Sequence, residues 1–213
     1  MYYLKDYKCE DHAVILDFVL KNPLALVCGS FKDGKPVASH LPLLVETNDN
    51  GEMTHLTGHL MRGTDHYKAF EENEQVLAVF SGANHYISAS DYEIPGKAST
   101  WNYETVHISG RMYFVGMDEL LGVLEKTQDY FENNALSPAA FKKLPKEYID
   151  KNVKAISGFK IKVENVRTTF KLSQDKSPAD IIRVTEGLGK INTPEAKRMM
   201  ERMQIVNKLK QDK

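Results

Sequence analysis

The chain has 213 residues, of which 42% are hydrophobic and 27% are charged, and its formal net charge is -1. This length and composition predict a globular protein built as one domain with additions. The balanced charge gives no general attraction for nucleic acid or an anionic membrane, so DNA binding would require a local basic patch. Cys9 and Cys28 are the only cysteines, and neither lies in a metal-ligand spacing. With no recognisable signal peptide or membrane span, we expect a protein of the reducing cytoplasm.

The amino-terminal half predicts one helix followed by strands. Apolar residues at helical spacing predict a helix from Asp11 to Lys21, which Asn22-Pro23 ends because the residue before proline avoids the helical region. Asp33-Gly34 predicts a hairpin turn. Thr64 or Asp65 can cap a short helix that continues through Glu71. The predicted strands of this half are 24–31, 35–45, 52–60, 75–80 and 85–88.

The carboxyl-terminal half adds strands 105–115 and 155–166, with an amphipathic helix 118–131 between them. Ser177-Pro178 predicts a further helix start. Gly187 to Lys190 is interpreted as the end of that helix. Roughly six or seven strands joined mostly by short turns predict a fold that is mainly β with peripheral helices. We therefore expect a closed or nearly closed antiparallel β-barrel.

The last segment of the chain predicts a separate amphipathic helix, so we divide the chain into a barrel domain, 1–188, and a C-terminal helix, 189–213. The helix starts at Asn192-Thr193-Pro194, and one stripe of its surface is apolar. The stripe consists of Ala196, Met199, Met200, Met203 and Val206. Either this stripe packs on the barrel or a partner subunit, or the helix is a DNA- or protein-contacting arm. The basic residues of such an arm would be Lys197, Arg198, Arg202, Lys208 and Lys210.

The segment Thr100-Trp101-Asn102-Tyr103 contains the only tryptophan of the protein and stands where a glycine-containing loop enters a strand. An aromatic pair beside an amide suits a flat, partly polar ligand, because the rings stack on its face while the amide hydrogen-bonds its edge. The alternative is a packing role, in which Trp101 plugs one end of the barrel and Tyr103 packs beside it.

Polar residues at other strand ends point to the same kind of ligand. Pro42 removes a donor from its strand, which places that strand at an edge or beside a ligand. Arg62 and Thr64 stand between a strand and a helix start, where a phosphate could bind. Lys171 and Gln174 follow the last predicted strand. Together they predict one ligand with a phosphate end and a flat end. A metal site is disfavoured, because His55 and His59 lie about 13 Å apart on a strand.

These segments resemble the PaiB-type family of FMN-binding negative transcriptional regulators. The matching segments occur in the family's order and cover nearly the whole chain up to about residue 188, and the TWNY and KLSQ segments are the most specific. They are SHLPLL at 39–44, LTGHLMRGTDHY at 56–67, VFSGANHYISASDY at 79–92, STWNYETVHISGRM at 99–112, AISGFKIKVENV at 155–166 and FKLSQDKSPADI at 170–181. Thr64 and Asp175 stand where many members have asparagine.

The resemblance implies an FMN-binding split β-barrel, similar to the pyridoxamine-phosphate oxidase type, that forms a homodimer with FMN at the subunit interface. His40 to Pro42 would lie along the flavin, and His59, Arg62 and Thr64 would serve the ribityl-phosphate end. Trp101 to Tyr103 would lie near the isoalloxazine, contributed by the second subunit, and Lys171 and Gln174 would close the site. The full set of expected cofactor contacts is Ser39, His40, Leu41, Pro42, His59, Leu60, Arg62, Thr64, Trp101, Asn102, Tyr103, Lys171 and Gln174.

Three functions stay open from the sequence. The resemblance implies a flavin-binding regulator of stationary-phase, sporulation and protease genes. The related barrels imply an FMN-dependent oxidoreductase that uses NAD(P)H on a small molecule, with His59 or Tyr103 as candidate proton donors. Flavin or haem handling without turnover is the third. No helix-turn-helix pair is recognisable, so we expect no strong direct binding to DNA and no membrane association.

Overall fold

The structure is a computed structural model that describes residues 4–94, 96–132 and 136–211, with residues 208–211 described by their backbone alone. Within these ranges the strands are β1 (Leu24–Ser30), β2 (Pro36–Pro42), β3 (Leu44–Thr47), β4 (Met53–Met61), β5 (Gln75–Ile87), β6 (Thr100–Phe114) and β7 (Ile156–Lys171). The α-helices are α1 (His12–Lys21), α2 (Asp65–Glu72), α3 (Met117–Glu132), α4 (Lys146–Asn152), α5 (Pro178–Ile191) and α6 (Pro194–Gln211). Short 3-10 turns connect several of them.

The strands form one sheet in the order β2-β1-β5-β6-β7-β4-β3. β1 pairs antiparallel with β2 and β5, and β4 pairs antiparallel with β3 and β7. β2 is at the edge of this order, which is one of the two positions that Pro42 predicted. The fold class expected from the sequence, a mainly β protein with peripheral helices and an antiparallel split barrel, is confirmed.

Several predicted boundaries were wrong. The two strands predicted at 75–80 and 85–88 are one continuous strand, β5. β6 begins at Thr100, so the TWNY segment lies inside the strand instead of in a loop before it. β7 continues to Lys171, so the KLSQ segment starts on the strand. Gly187 and Gly189 lie inside α5, whose left-handed C-cap is Asn192. Helix α4 was not predicted.

The chain divides into two compact units, which are described separately. The barrel unit comprises 16–80 and 107–166, and the terminal unit comprises 1–15, 81–106 and 167–213. The predicted division after residue 188 falls inside α5, and α6 belongs to the same unit as α5. The C-terminal helix itself begins at Pro194, after a Thr193 side chain that accepts from the Ala196 amide at 3.3 Å.

The barrel unit closes because one continuous stretch of chain pairs with β1 through its first half and with β4 through its second half. β2 pairs with β1, and after the single residue Leu43 the chain continues as β3, which pairs with β4. A Cβ atom added to Gly58 in β4 would lie 3.1 Å from the Pro42 carbonyl oxygen and 2.9 Å from Leu43 Cδ2. The backbones therefore approach closely at the seam, and only glycine leaves room for this approach.

Two helices pack on the barrel unit through similar close approaches. A Cβ atom on Gly29 in β1 would meet the ring of Phe70 in α2 at 2.7 Å. A Cβ atom on Gly158 in β7 would lie 3.2 Å from the Leu120 Cα atom in α3. The largest side chains buried in this unit are Phe70, Phe80, Phe159, Leu43, Leu56, Ile108, Leu120 and Ile161. α3 is also tied to α1, since the Tyr130 hydroxyl donates to the Leu20 carbonyl at 2.7 Å.

The terminal unit contains α5 and α6. Ser177 caps α5 by accepting from the Asp180 amide at 3.1 Å, and Pro178 occupies the first turn, as predicted. Met199 and Met203 of α6 are fully buried, together with Ile87 and Leu172. The packing interpretation of the methionine stripe is therefore confirmed. In the described ranges no helix is both long enough and apolar enough to cross a membrane.

Candidate ligand-binding site

The turn between β4 and α2 forms the predicted phosphate end of the site. Gly63 has a φ of +78°, which reverses the chain, and Thr64 then caps α2. The Thr64 hydroxyl donates to the Met61 carbonyl at 2.9 Å and accepts from the Tyr67 amide at 3.3 Å. Thr64 thus satisfies one helix-end amide itself. The next amide, that of His66, is bonded to the Asp65 carboxylate at 2.8 Å, so the positive charge at this turn comes mainly from Arg62.

Arg62 is held at this turn by its backbone and by one side-chain nitrogen. Its amide donates to the Ala155 carbonyl at 2.9 Å, and its Nε donates to the Ile156 carbonyl at 2.8 Å. The guanidinium also lies 5.9 Å from the centre of the Tyr67 ring. The side chain is exposed, and within the described residues its two terminal nitrogens have no hydrogen-bond acceptor. Arg62 is therefore a positioned cation with two donors directed to solvent.

Asp65 opposes this positive end. It is the first residue of α2, its carboxylate accepts from the His66 amide at 2.8 Å, and its side chain is 74% exposed. A carboxylate in the first turn stabilises the helix by interacting with its positive end. The same carboxylate repels any bound phosphate at that end.

The end of the segment 39–42 lies beside β4 at the barrel seam, so the HLP and GHL segments are close to each other there. Leu41 is buried, Ser39 and Pro42 are half-buried, and His40 is exposed. The Pro42 carbonyl lies against Gly58. Leu60, two residues after Gly58 on β4, is buried. His40 is thus the side chain of this segment that is most accessible to a ligand.

His59 lies near Arg62 in the sequence, but its side chain points into a cavity, whereas that of Arg62 is exposed to solvent. His59 lines this cavity between β4, the start of β7 and side chains from the ranges 124–132 and 141–153. Its Nδ1 atom is buried and has no hydrogen-bond partner among the described residues. Burial lowers the pKa of this imidazole, because the protonated form loses hydration. The ring is accordingly a neutral hydrogen-bonding group and a poor source of positive charge for a phosphate.

Trp101 in the terminal unit is 51% exposed, so the structure contradicts the alternative in which it plugs the barrel. Its ring meets Tyr86 edge-on, with 6.1 Å between ring centres, and Tyr86 is itself 50% exposed. Tyr103, two residues further along β6, is half-buried. The two exposed rings lie on neighbouring strands and are inclined at 62°, so a flat molecule can stack on one of them while the other borders it.

Asn102 alternates to the opposite face of β6 and is fully buried. Its Nδ2 donates to the Ser173 hydroxyl at 2.8 Å and lies 3.5 Å from the Met203 sulfur. Its Oδ1 is buried without a partner among the described residues. The amide therefore holds the TWNY segment against the KLSQ segment and α6.

Lys171 and Gln174, which were predicted to close the site, are hydrogen-bonded to nearby residues of the same chain. Lys171 Nζ donates to the Thr100 hydroxyl, and burial lowers the pKa of Lys171. Gln174 accepts from the Leu172 amide at 2.6 Å and donates to the Phe170 carbonyl. These bonds build a turn around Ser173, which has a φ of 63°. Both residues thus shape the backbone beneath the Trp101 surface.

The ion pair between Glu104 and Arg202 was not predicted from the sequence. The Glu104 carboxylate is 2% exposed, and the Arg202 guanidinium binds it through Nε at 2.9 Å and through Nη2 at 2.7 Å. The partners are 98 residues apart, so no local spacing links them. An acidic residue at a buried position of β6 was the available clue, because a buried carboxylate requires a partner. Arg202, assigned to a DNA-contacting arm in one interpretation, is instead bonded inside the terminal unit.

The predicted contacts fall into two sets. Ser39 to Pro42, His59, Leu60, Arg62 and Thr64 belong to the barrel unit, and Trp101 to Tyr103, Lys171 and Gln174 belong to the terminal unit. The barrel set supplies an exposed guanidinium at a helix amino terminus, and the terminal set supplies an exposed aromatic pair. These are the two chemical ends predicted for the ligand.

The fold places the chain in the class of split β-barrels. It is similar to the FAD and heme binding protein from Mycobacterium smegmatis, with a TM-score of 0.59, 17% identity, and coverage of 83% of this chain and 79% of that one. It is also similar to the flavocytochrome Anf3 from Azotobacter vinelandii, with a TM-score of 0.56, 16% identity, and coverage of 78% and 69%. At these identities the likeness concerns the fold alone.

Residues 1–165 match the model of the family described as "Putative FMN-binding domain", and the chain belongs to this family. It is 36% identical over 204 residues to the protease synthase and sporulation protein PAI 2 of Bacillus subtilis (strain 168). That alignment covers 96% of this chain and 97% of the relative. The resemblance recognised from the sequence segments is therefore confirmed.

The Glu104–Arg202 pair gives a test of how α6 is held. Arg202→Met should lower the free energy of unfolding by about 3 kcal/mol, because it leaves a buried carboxylate without its partner. Urea denaturation measures the change, and Lys197→Ala, which removes an exposed cation from the same helix, serves as the control. Adding Glu104→Gln to Arg202→Met should restore part of the loss. Equal free energies of unfolding for Arg202→Met and Lys197→Ala would contradict this assignment.

Proposed function

We propose that this protein binds FMN and acts as a flavin-dependent regulator of gene expression of the PAI 2 kind. The observation that carries the cofactor assignment is Arg62, a cation anchored by its Nε at a helix amino terminus with two donors free for a phosphate. Membership of a family described as FMN-binding supports the same cofactor. FMN would supply reversible redox chemistry, and its monophosphate distinguishes it from riboflavin.

The phosphate end of the proposed site is the β4–α2 turn. Guanidinium nitrogens and helix-end amides are the groups that bind phosphate in proteins, and charge-assisted bonds are about twice as strong as neutral ones. His40 and Pro42 would border the flavin from the barrel seam, with Ser39, Leu41 and Leu60 shaping the backbone. His59 would contribute through its place on β4, since its ring faces the cavity.

The flat end of the proposed site is the surface of Trp101 and Tyr86, with Tyr103 beside it. Exposed aromatic rings at 50% and 51% accessibility support stacking on the isoalloxazine. Asn102, Lys171 and Gln174 would act as positioning residues, because their polar groups are engaged beneath this surface. The two sets would meet across a homodimer interface, with Trp101 contributed by the second subunit.

A regulatory role is supported by the relative with 36% identity, whose name refers to protease synthesis and sporulation. We place this protein in the cytoplasm on the same basis. An oxidoreductase acting on a small molecule is the other candidate function. Absorption of the purified protein in the flavin band tests the cofactor, and NAD(P)H consumption by the FMN-loaded protein distinguishes turnover from a purely regulatory flavin.

Substitutions at the β4–α2 turn test the phosphate assignment. Arg62→Ala should weaken FMN binding about tenfold and riboflavin binding much less, because only FMN loses a charge-assisted bond. Asp65→Asn should strengthen FMN binding about twofold by removing repulsion at the helix end. Calorimetric titration of both ligands measures these effects, with Lys32→Ala, an exposed cation elsewhere, as the control. Equal losses for FMN and riboflavin would refute the assignment.

The dimer prediction rests on exposed apolar side chains. Leu24, Met61 and Trp101 are 59%, 60% and 51% exposed, which is surface that a partner subunit would cover. Light scattering at micromolar concentration should give about twice the 24.2 kDa chain mass. A monomer mass for the FMN-loaded protein would contradict a site shared between subunits.

Direct DNA binding should be weak. The net charge is -1, and Arg202 is paired with Glu104, so the proposed arm loses one of its cations. Lys197 and Arg198 are exposed, and the side chains of Lys208 and Lys210 lie outside the described part of the chain. Anisotropy titrations at physiological salt should show no preference for the gene's own upstream DNA over random DNA. Nanomolar, selective binding lost in Lys197→Gln/Arg198→Gln would show that α6 contacts DNA.

A further inference from the structure

The barrel unit contains a cavity that the proposed flavin contacts leave unexplained. Its volume is about 400 Å³, and it lies between the outer face of β4, the first residue of β7 and side chains from the ranges 124–132 and 141–153. Of the proposed flavin contacts, only His59 lines it. A volume of this size lies within the range of small-molecule sites, which is roughly 300–1,000 Å³.

The walls of this cavity are mainly apolar and partly aromatic. α3 contributes Leu124 and Phe131, and the opposite wall includes Tyr148 and Ile149 of α4. The remaining apolar lining residues are Phe141, Leu144, Val153 and Ile156. Such walls favour a ligand with aromatic rings, because stacked and edge-on ring contacts add to the burial of apolar area.

Among the described residues of the lining, the polar side chains other than His59 and Tyr148 each make a hydrogen bond. Thr127 donates to the Val123 carbonyl at 2.7 Å, and Gln128 donates to the Ala139 carbonyl. Asn152 donates to the Tyr148 carbonyl at 2.8 Å, and Glu132 accepts from the Ser137 hydroxyl at 2.6 Å. These are the polar groups of the lining other than His59 and the Tyr148 hydroxyl.

His59 supplies an unused hydrogen-bonding atom. Nδ1 is buried and has no partner among the described residues, and a buried polar atom without a partner is destabilising. In a neutral imidazole one ring nitrogen donates and the other accepts, and in the tautomer protonated at Nε2 the Nδ1 atom accepts from an N–H or O–H group. A ligand that donates one hydrogen bond here would remove the cost of the unpaired atom.

The charge of the lining excludes an anionic ligand such as the FMN phosphate. No Lys or Arg is among the described residues that line the cavity, and Glu132 adds a negative charge. A phosphate would be desolvated here without a cation to compensate it. The cavity is therefore a poor phosphate site, in contrast to the β4–α2 turn with Arg62.

We propose that this cavity is a second ligand site, which binds a neutral aromatic molecule carrying one N–H or O–H donor directed to His59 Nδ1. A cavity of about 150 Å³ holds one benzene ring, so the volume here suits roughly two to three rings. The proposal does not require bound flavin: of the residues that line the cavity, only His59 is also a proposed flavin contact, and it is one through its place on β4.

Diphenylamine and diphenylmethane form a matched pair of probes, since an N–H in the first replaces a CH₂ in the second. Calorimetric titration of the full-length protein should show one equivalent of diphenylamine bound about fivefold more tightly than diphenylmethane. His59→Leu should abolish this preference while both probes still bind. Leu124→Trp should fill the cavity and abolish binding of both probes, with FMN binding unchanged. Ile182→Trp, an exposed site on α5, is the control for an added indole.

Three results would overturn the proposal: no saturable binding of either probe, binding retained in Leu124→Trp, or the same preference in His59→Leu. Displacement of diphenylamine by FMN would also overturn it, because the cavity would then belong to the flavin site. Ile149→Phe fills the cavity from the opposite wall and replaces Leu124→Trp if circular dichroism shows that the latter does not fold. Failure of FMN to bind at all would leave the probe results interpretable, since they do not depend on flavin.

Discussion

The close approach of two backbones at Gly58 is the constraint on which the barrel unit depends. The stretch from β2 to β3 pairs with β1 on one side and with β4 on the other, so the two ends of the strand order are consecutive in the chain. This requires the Pro42 carbonyl to lie against β4, where any side chain at position 58 would collide with Leu43 and Phe159. Once this seam is fixed, the alternation of β4 is fixed as well. Leu56 and Leu60 are buried, while His59 turns to the cavity and Arg62 emerges at the end of the strand.

A second set of polar bonds fixes the terminal unit. Glu104 binds Arg202, Asn102 contacts Ser173 and Met203, and Asn207 donates to the Leu172 carbonyl at 3.1 Å. A stripe of methionines alone would allow α6 to slide along an apolar surface, because methionine side chains adapt to many packings. Directional bonds from α6 to β6 and to the KLSQ segment allow one register. The polar contacts therefore determine where the helix lies, and the buried Met199 and Met203 supply apolar contact.

The sequence predicted the elements whose signals are local. Caps and turn residues located α1, α2 and the starts of α5 and α6, because a cap acts within three residues of its own position. The sequence failed where pairing with distant strands decides the structure. Ser81 to Asn84 have little strand signal of their own, yet β5 runs through them without a break. Of the site, the exposed Arg62 and Trp101 could be predicted from residue type and position. The burial of Asn102, the cavity around His59 and the Glu104–Arg202 pair could not, because each depends on segments far apart in sequence.

The exposure of Trp101 has a consequence for how this protein can be observed. It is the only tryptophan of the chain, and its indole is half in water beside Tyr86. Intrinsic emission therefore comes from one defined surface rather than from an average over the molecule. Any flavin, subunit or other partner that covers this surface will change the colour or intensity of that emission. Binding to this surface can therefore be followed without a label.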